Sequence, residues 1–215
     1  MKLLSINVGS LCEVLRNGKK VQSGIFKKPV EGPIKLYSLG LQGDYQANKK
    51  LHGGADKAVC VYPAEYYDLW RNELMKPELS FGDFGENFTT LGLRENTVCI
   101  GDRFRIGAAE VIVTQPREPC VTLNARFGLV DLAKRFQSSG RSGFYFSVIK
   151  EGTLSRGDEI KCVFKDKNKV FVSEFNHVLN GSSGVEDIVR RASKVSALPK
   201  KLKNKLLKRL SSLES

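Results

Sequence analysis

Short apolar runs fill most of the chain and predict a structure rich in β-strands. Eight segments are either apolar throughout or alternate between apolar and polar positions, with Gly, Asn or Asp between several of them. The predicted strands cover residues 2–7, 19–26, 34–39, 58–62, 103–106, 110–114, 143–149 and 159–164. Because many short strands follow one another, we expect a closed or nearly closed β-barrel.

Helical spacing interrupts this pattern twice. Pro63 is suited to the first position of a helix, which then runs through Leu74 and ends at 75–77. A second helical stretch follows Cys120 and reaches about Gln137, with a break at Gly128 left open. The predicted fold class is therefore mainly β with helices (α+β).

The pattern changes after residue 180, where only helical periodicity remains. Residues 180–184 are typical of a linker, and two or three short helices are predicted beyond it. We predict a barrel domain over 1–172 and a small helical domain over 181–215. The spacing of four leucines places them on one helix face, which we expect to pack on the barrel or on a second subunit: Leu202, Leu206, Leu210 and Leu213.

Composition excludes several protein classes. The 215 residues are 41% hydrophobic and 27% charged, as in an ordinary globular protein. The N-terminal apolar stretch is too short for a signal peptide, and no window is long enough to cross a membrane. Five cysteines without a Cys-x-x-Cys pair, and only two histidines, argue against zinc and against a disulfide framework. We expect a reducing cytoplasm.

Positive charge is concentrated at the C-terminal end. Half of the net charge of +12 lies in the last thirty residues. Such a run can bind nucleic acid or an acidic partner, or it can be the solvated face of an amphipathic helix. We favour the solvated face and expect no nucleic-acid ligand.

Cys120 is the candidate catalytic residue. It follows the apolar run 111–113 in a turn that contains Pro116 and Pro119, with Arg117 three residues before it. Prolines restrict the turn, and a nearby guanidinium favours the thiolate. The alternative is a buried cysteine that acts as a small apolar residue.

Three polar segments accompany the cysteine. Gly53 and Gly54 lie between His52 and Lys57, where paired glycines let backbone N–H groups approach an anion and the flanking residues supply charge or a proton. The loop 81–90 presents Glu86 and Asn87, and the segment 138–145 places Arg141 and Ser142 between glycines, a pattern suited to phosphate. Each segment could equally be a structural turn.

Together these segments resemble the MOSC family, the domain named for the C-terminal part of molybdenum-cofactor sulfurases. The matching motifs, in order, are 44–62 with its Gly-Asp, His-Gly-Gly and Tyr-Pro elements, Phe84-Gly85-Glu86-Asn87, Ile100-Gly101-Asp102, 115–124 and Ser139-Gly140-Arg141. The resemblance covers nearly the whole chain. Within the family the chain is similar to the stand-alone bacterial YiiM-type proteins, which also have a three-helix tail.

The resemblance implies a molybdenum cofactor, a pterin dithiolene that bears a phosphate, with Cys120 as the metal ligand. It further implies that Arg117 and Arg141, with the backbone around Gly53 and Gly54, hold the phosphate and pterin. His52 joins Cys120 as a catalytic candidate. The remaining predicted cofactor-binding residues are Lys57, Glu86, Asn87, Asn124 and Ser142.

The implied activity is reduction of N-hydroxylated compounds, such as 6-N-hydroxylaminopurine, to the amine. Implied partners are the small-molecule substrate and a separate electron-donor protein, and a homodimer is left open. Glu118 and Thr122 depart from the basic or small polar residues expected near the cysteine. Two alternatives remain: a sulfur carrier with a Cys120 persulfide, and a non-catalytic binding module that uses the basic tail.

Overall fold

The computed structural model describes residues 1–16, 19–47 and 53–213. Its strands are β1 (Lys2–Gly9), β2 (Cys12–Arg16), β3 (Lys19–Ser23), β4 (Lys27–Pro29), β5 (Ile34–Tyr37), β6 (Gly40–Leu41), β7 (Val59–Pro63), β8 (Phe88–Leu91), β9 (Arg103–Ile106), β10 (Ala109–Pro116), β11 (Phe144–Lys150), β12 (Gly152–Leu154) and β13 (Ile160–Phe164). Its α-helices are α1 (Tyr67–Leu74), α2 (Val121–Phe127), α3 (Leu132–Ser139), α4 (Val172–Leu179), α5 (Glu186–Ser193) and α6 (Lys200–Leu213). Short 3-10 helices span Ala55–Lys57 and Ala64–Tyr66. Over the described ranges, no helix combines the length and the apolar character that a membrane crossing requires.

Eight strands form one curled sheet in the order β13-β9-β10-β11-β7-β8-β1-β4. Its neighbours are antiparallel except β7 and β8, which are parallel. The curl brings the start of β1 against the chain before β13, where the Leu3 N–H donates to the Asp158 carbonyl at 3.0 Å and the Ile160 N–H donates to the Met1 carbonyl at 2.9 Å. These bonds join the two ends of the sheet in part, so the predicted barrel-like architecture is confirmed.

The main apolar core fills the curl and continues into the C-terminal helices. Strand residues such as Ile6 and Phe146 belong to the same buried cluster as Val189 of α5 and Leu206 of α6. Leu202 and Leu210 are partly buried against that cluster. Three of the four leucines of the predicted face therefore pack on the chain's own core, and the side chain of Leu213 lies outside the described residues.

A second cluster supports the segment that contains Cys120. Trp70 of α1 stacks on Phe136 of α3 with ring centroids 4.1 Å apart, and Phe84 stacks on Phe127 of α2 at 5.6 Å. Leu123, on the first turn of α2, is fully buried in this cluster. Because α2 begins directly after Cys120, the aromatic packing fixes the position of that cysteine.

Several element boundaries differ from the sequence expectation. The strand predicted over 19–26 ends at Ser23, because Ser23 pairs with Cys12, the first residue of its partner strand β2. Pro63 ends β7 instead of opening a helix, since it pairs with Thr90 of β8. The break at Gly128 is confirmed, because this glycine ends α2 at φ 68°.

Some elements had no recognisable sequence signal. The pattern did not predict α4, which begins at Val172, nor the short strands β2, β4, β6, β8 and β12. In β8 the polar side chains of Thr89 and Thr90 are buried beside Phe88, so the alternation typical of a half-exposed strand is absent.

Candidate functional site

A cavity of about 760 Å³ lies beside the end of β10, within the range of about 300–1,000 Å³ typical of small-molecule and cofactor sites. Segments that are distant in sequence form its wall. They are residues 21–25 with Lys27, residues 44–47, Lys57, Cys60, Gly85, Asn87, the residues Arg117, Glu118, Cys120 and Thr122, and Tyr145.

Cys120 lies in this wall and is partly exposed. Its backbone is extended, with φ −117° and ψ 163°, and its carbonyl accepts a hydrogen bond from the Leu123 N–H at 2.9 Å at the start of α2. On the other side, the Arg117 N–H donates to the Gly143 carbonyl at 2.9 Å. The turn that contains Cys120 is thus fixed at both ends, with its thiol at the cavity.

Arg117 is 7% exposed and lines the same cavity. Its Nη2 donates to the Phe84 carbonyl at 2.6 Å, whereas its buried Nη1 has no hydrogen-bond partner among the described residues. Burial opposes its charge, but interactions with Cys60, Tyr145 and Cys120 outweigh burial and raise the pKa of Arg117. The guanidinium is therefore a permanent positive charge with a donor available to an anion.

A buried ion pair forms another part of the wall. The Lys27 ammonium contacts the Asp44 carboxylate, and their side chains are 7% and 2% exposed. Asp44 also accepts hydrogen bonds from the Gly9 N–H and from Nδ2 of Asn87, both at 2.8 Å, while Oδ1 of Asn87 accepts from the Cys60 N–H at 3.1 Å. Since a buried pair is expensive to desolvate and adds little stability, its position at a cavity indicates a role in binding.

Cys60 gives the cavity a second thiol. It is 7% exposed and lies on β7, where burial raises its pKa and the charge of Arg117 opposes the rise. Tyr145, on the neighbouring strand β11, also lines the cavity. Burial raises the pKa of Tyr145, so its hydroxyl is protonated at neutral pH.

The glycine-rich segment contributes Lys57. This lysine lines the cavity, with its Nζ 5.6 Å from the centroid of the Tyr145 ring. Gly54 precedes the 3-10 helix that ends at Lys57, and its carbonyl accepts from the Lys57 N–H at 3.1 Å. Gly53 and Gly54 are not among the lining residues. His52 lies outside the described residues.

Glu86 lies behind the cavity wall and is fully buried. Its Oε1 accepts hydrogen bonds from the Tyr67 hydroxyl, the Gly82 N–H and the Thr89 hydroxyl, while Oε2 has no partner among the described residues. Burial raises the pKa of Glu86. Its neighbour Asn87, by contrast, reaches the cavity.

Three further predicted residues lie away from the cavity wall. Asn124 joins α2 to α3, since its Oδ1 accepts from the Ala133 N–H and its Nδ2 donates to the Val130 carbonyl, both at 2.7 Å. Arg141 is exposed, with its guanidinium 5.7 Å from the centroid of the Tyr66 ring, and Ser142 is buried beside it. The structure therefore groups Cys120, Arg117, Lys57 and Asn87, but does not bring Glu86, Asn124, Arg141 or Ser142 to the same wall.

Sequence reasoning missed several polar residues of the wall, among them Lys27, Asp44, Cys60 and Tyr145. Lys27 sits in a strand of three residues, and Cys60 sits between two valines, so both have the local pattern of a structural residue. Asp44 was noted only as part of a motif, and Tyr145 only as part of a strand. A buried lysine and a buried aspartate that face each other across 17 positions give no signal in one sequence.

The donor set of the cavity fits a cofactor that brings ligands of its own. No cluster of three His, Cys, Asp or Glu side chains suited to a metal ion occurs in the part of the chain that the structure describes. A pterin dithiolene supplies sulfur ligands, so a single protein thiol completes such a centre, and the unused donor of Arg117 suits a phosphate. The residues present therefore fit a molybdenum cofactor.

Comparisons with known proteins identify the family of the chain. The family model of the MOSC domain matches residues 48–161. The chain is 43% identical over 176 residues to YflK, an uncharacterized protein of Bacillus subtilis, across 82% of this chain and 79% of that protein. A reductase of Gibberella moniliformis is 33% identical over 180 residues, which make up 82% of this chain but 32% of that longer protein.

Structural similarity extends over almost the full length. The crystal structure of YiiM from Geobacillus stearothermophilus superposes with a TM-score of 0.81 at 32% sequence identity, covering 97% of this chain and 98% of that one. The similarity thus includes the C-terminal helices as well as the sheet. A family match over more than half of the residues, with relatives that agree along most of the chain, shows that this is a YiiM-type protein and that it belongs to the MOSC domain family.

Proposed function

We propose that this protein is a molybdenum-cofactor-dependent reductase of N-hydroxylated compounds, such as 6-N-hydroxylaminopurine, with Cys120 as the protein ligand of the metal. The main support is that a partly exposed thiol and a buried guanidinium with an unused donor line one cavity. The MOSC family match and the similarity to a protein named as a reductase support oxidoreductase chemistry.

The chain's own groups would hold the cofactor by charge and by one metal–sulfur bond. Nη1 of Arg117 would donate to a phosphate oxygen of the cofactor, and the Lys57 ammonium would add a further positive charge at the cavity. Cys120 supplies a soft thiolate. Arg141, Gly53 and Gly54, which do not line the cavity, stay predictions for this role.

When bound, the cofactor supplies the two-electron chemistry that removes the hydroxyl oxygen of the substrate. Conversion of a hydroxylamine to an amine and water consumes two electrons, from a separate donor protein, and two protons. Tyr145 keeps its hydroxyl proton because burial raises its pKa, so this hydroxyl would orient the substrate oxygen by donating a hydrogen bond. His52 is the proton donor that the sequence suggests.

The basic helix α6 is the surface that we propose for the electron donor. Leu202, Leu206 and Leu210 pack on the core, whereas three lysines of the helix are exposed: Lys201, Lys205 and Lys208. An acidic redox protein would dock there, and the encounter would weaken as salt screens the charges.

Metal analysis of purified protein tests the proposal. Protein from a host that makes the cofactor should contain stoichiometric molybdenum and oxidised pterin, and should reduce 6-N-hydroxylaminopurine with a chemical electron donor. Cys60→Ser, which changes the other cavity thiol, should retain molybdenum, whereas Cys120→Ser should lose it. Molybdenum-free protein from that host would contradict the proposal.

A sulfur carrier is the second candidate, because a thiol beside a fixed positive charge also suits a persulfide anion. Cyanolysis distinguishes the two functions. Release of thiocyanate from molybdenum-free protein, lost in Cys120→Ser, would favour the carrier.

A further inference from the structure

Arg126 lies on α2, six positions after Cys120, and its side chain is 10% exposed. A long cationic side chain that is nearly buried outside the cavity requires an explanation, because Arg is seldom buried unless it is paired.

The guanidinium of Arg126 contacts three segments at once. Nη1 donates to the Ile25 carbonyl at 3.0 Å, and Nη2 donates to Oδ1 of Asp83 at 2.5 Å. Its central carbon lies over the Phe26 ring, 4.6 Å from the ring centroid. Arg126 therefore joins the Cys120-bearing helix to the chain at 25–26 and to the turn at 81–85.

Both of those segments form the cavity wall. Ile25 and Gly85 line the cavity, and they pack so closely that a Cβ on Gly85 would be 2.9 Å from Cγ1 of Ile25. The same turn is held from the other side, because Nη2 of Arg117 donates to the Phe84 carbonyl at 2.6 Å. Two arginines, one on each side of Cys120 in sequence, thus bind adjacent residues of one turn.

We infer that Arg126 is a positioning residue that sets the width of the cavity at Cys120. Its planar fork donates to a carbonyl and a carboxylate from two different nitrogens while its central carbon lies over an aromatic ring, which the single nitrogen of a lysine ammonium cannot reproduce. Loss of these contacts leaves Ile25 with only its apolar packing against the aromatic cluster, which has no fixed direction, so the wall can widen at Ile25. The inference rests on the proposed function only in treating Cys120 as the reactive group of the cavity.

Thiol labelling measures the cavity width directly. Full-length protein from a host without the cofactor is treated with N-methylmaleimide or N-(1-pyrenyl)maleimide, which react alike but differ in size. Peptide mass spectrometry gives the rate at Cys120, and the exposed Cys162 serves as the internal reference. Arg126→Ala should raise the bulky-to-small rate ratio at Cys120 by about tenfold, the lower end of size discrimination by a pocket.

Arg135→Ala is the matched control. Arg135, on α3, also donates to a carboxylate, that of Glu73, but neither residue lines the cavity. It should lower the melting temperature and leave the ratio unchanged. Arg126→Lys keeps the charge and should raise the bulky-to-small rate ratio at Cys120 less than Arg126→Ala does. If the alanine variant does not fold, the ratio in Arg126→Lys tests the inference.

An unchanged ratio in folded Arg126 variants, or the same change in Arg135→Ala, would overturn the inference. Because the assay uses cofactor-free protein, its outcome is independent of whether molybdenum binds. Failure of the proposed function would appear instead as molybdenum-free protein from the competent host.

Discussion

Arg117 and Asp102 are both buried charges, but the chain uses them differently. Asp102 is fully buried, and its two oxygens accept hydrogen bonds from the Asp166 N–H, the Cys99 N–H and the Lys165 ammonium at 2.8–3.0 Å. Arg117 makes one side-chain hydrogen bond to the protein and keeps a buried Nη1 without a partner in the described residues. A buried charge whose partners are all internal stabilises a turn, whereas one with an unused donor at a cavity is arranged for a ligand.

The largest expected effect is on turnover, and it should distinguish Cys120, near Arg117, from Cys99, near Asp102. Cys120→Ser should abolish reduction of 6-N-hydroxylaminopurine with the fold intact, because a hydroxyl is a much less acidic and harder ligand. Cys99→Ala, beside Asp102, should lower stability by about 1 kcal/mol and leave turnover nearly unchanged. Steady-state kinetics and circular dichroism check both, and an essential Cys99 with a dispensable Cys120 would reverse the assignment.

Substitution of Arg117 should lower cofactor affinity, whereas substitution of Asp102 should lower the stability of the fold. Arg117→Ala should weaken cofactor affinity by about 10- to 100-fold, the range observed when a group near a metal centre is lost. Asp102→Ala should instead cost about 1–3 kcal/mol of stability for each of the two backbone donors that it leaves unpaired, the N–H groups of Cys99 and Asp166, whereas the Lys165 side chain is 60% exposed and its charge is solvated by water. Molybdenum content and urea denaturation measure the two quantities. Full occupancy in Arg117→Ala would remove this residue from the site.

Substitutions in the C-terminal helix α6 should, like Asp102→Ala, change stability and leave the molybdenum content unchanged. Leu206 is 3% exposed in the core, so Leu206→Ala should cost about 2–5 kcal/mol without changing the molybdenum content at a temperature where the variant is folded. Its neighbour Leu207 is 49% exposed, and Leu207→Ala should change stability by less than about 0.5 kcal/mol. Equal losses in thermal melts would show that the helix does not pack as described.

The smallest expected effect is on how stability depends on pH. Burial raises the folded-state pKa of Glu86, so its ionisation works against folding: stability is lost as pH rises from the ordinary glutamate range through that raised pKa. Glu86→Gln should therefore gain stability relative to the original protein over that rise. Glu31→Gln, at a side chain 82% exposed, is the control. Parallel stability curves for Glu86→Gln and the original protein would mean that Glu86 is not buried as a charged group.

Local sequence pattern predicted those parts of the fold that depend on neighbouring residues. The strand Arg103–Ile106 and the helix break at Gly128 follow from alternation and from glycine's tolerance of positive φ. The strand β8 has no alternation of apolar and polar residues, because it pairs in parallel with β7 and both of its faces are covered.

The site was predicted in part for the same reason. Cys120 and Arg117 lie three positions apart in one turn, so the sequence brings them together. Lys27, Asp44 and Cys60 meet only through pairing across distant strands, which a single sequence does not encode locally.

X-ray absorption at the molybdenum edge tests the central claim most directly, because it counts the sulfur atoms bound to the metal. We predict one sulfur beyond those of the pterin dithiolene in the original protein, retained in Cys60→Ser and absent from whatever molybdenum Cys120→Ser still binds. Loss of that sulfur in Cys60→Ser, or its persistence in Cys120→Ser, would contradict the assignment of Cys120 as the ligand.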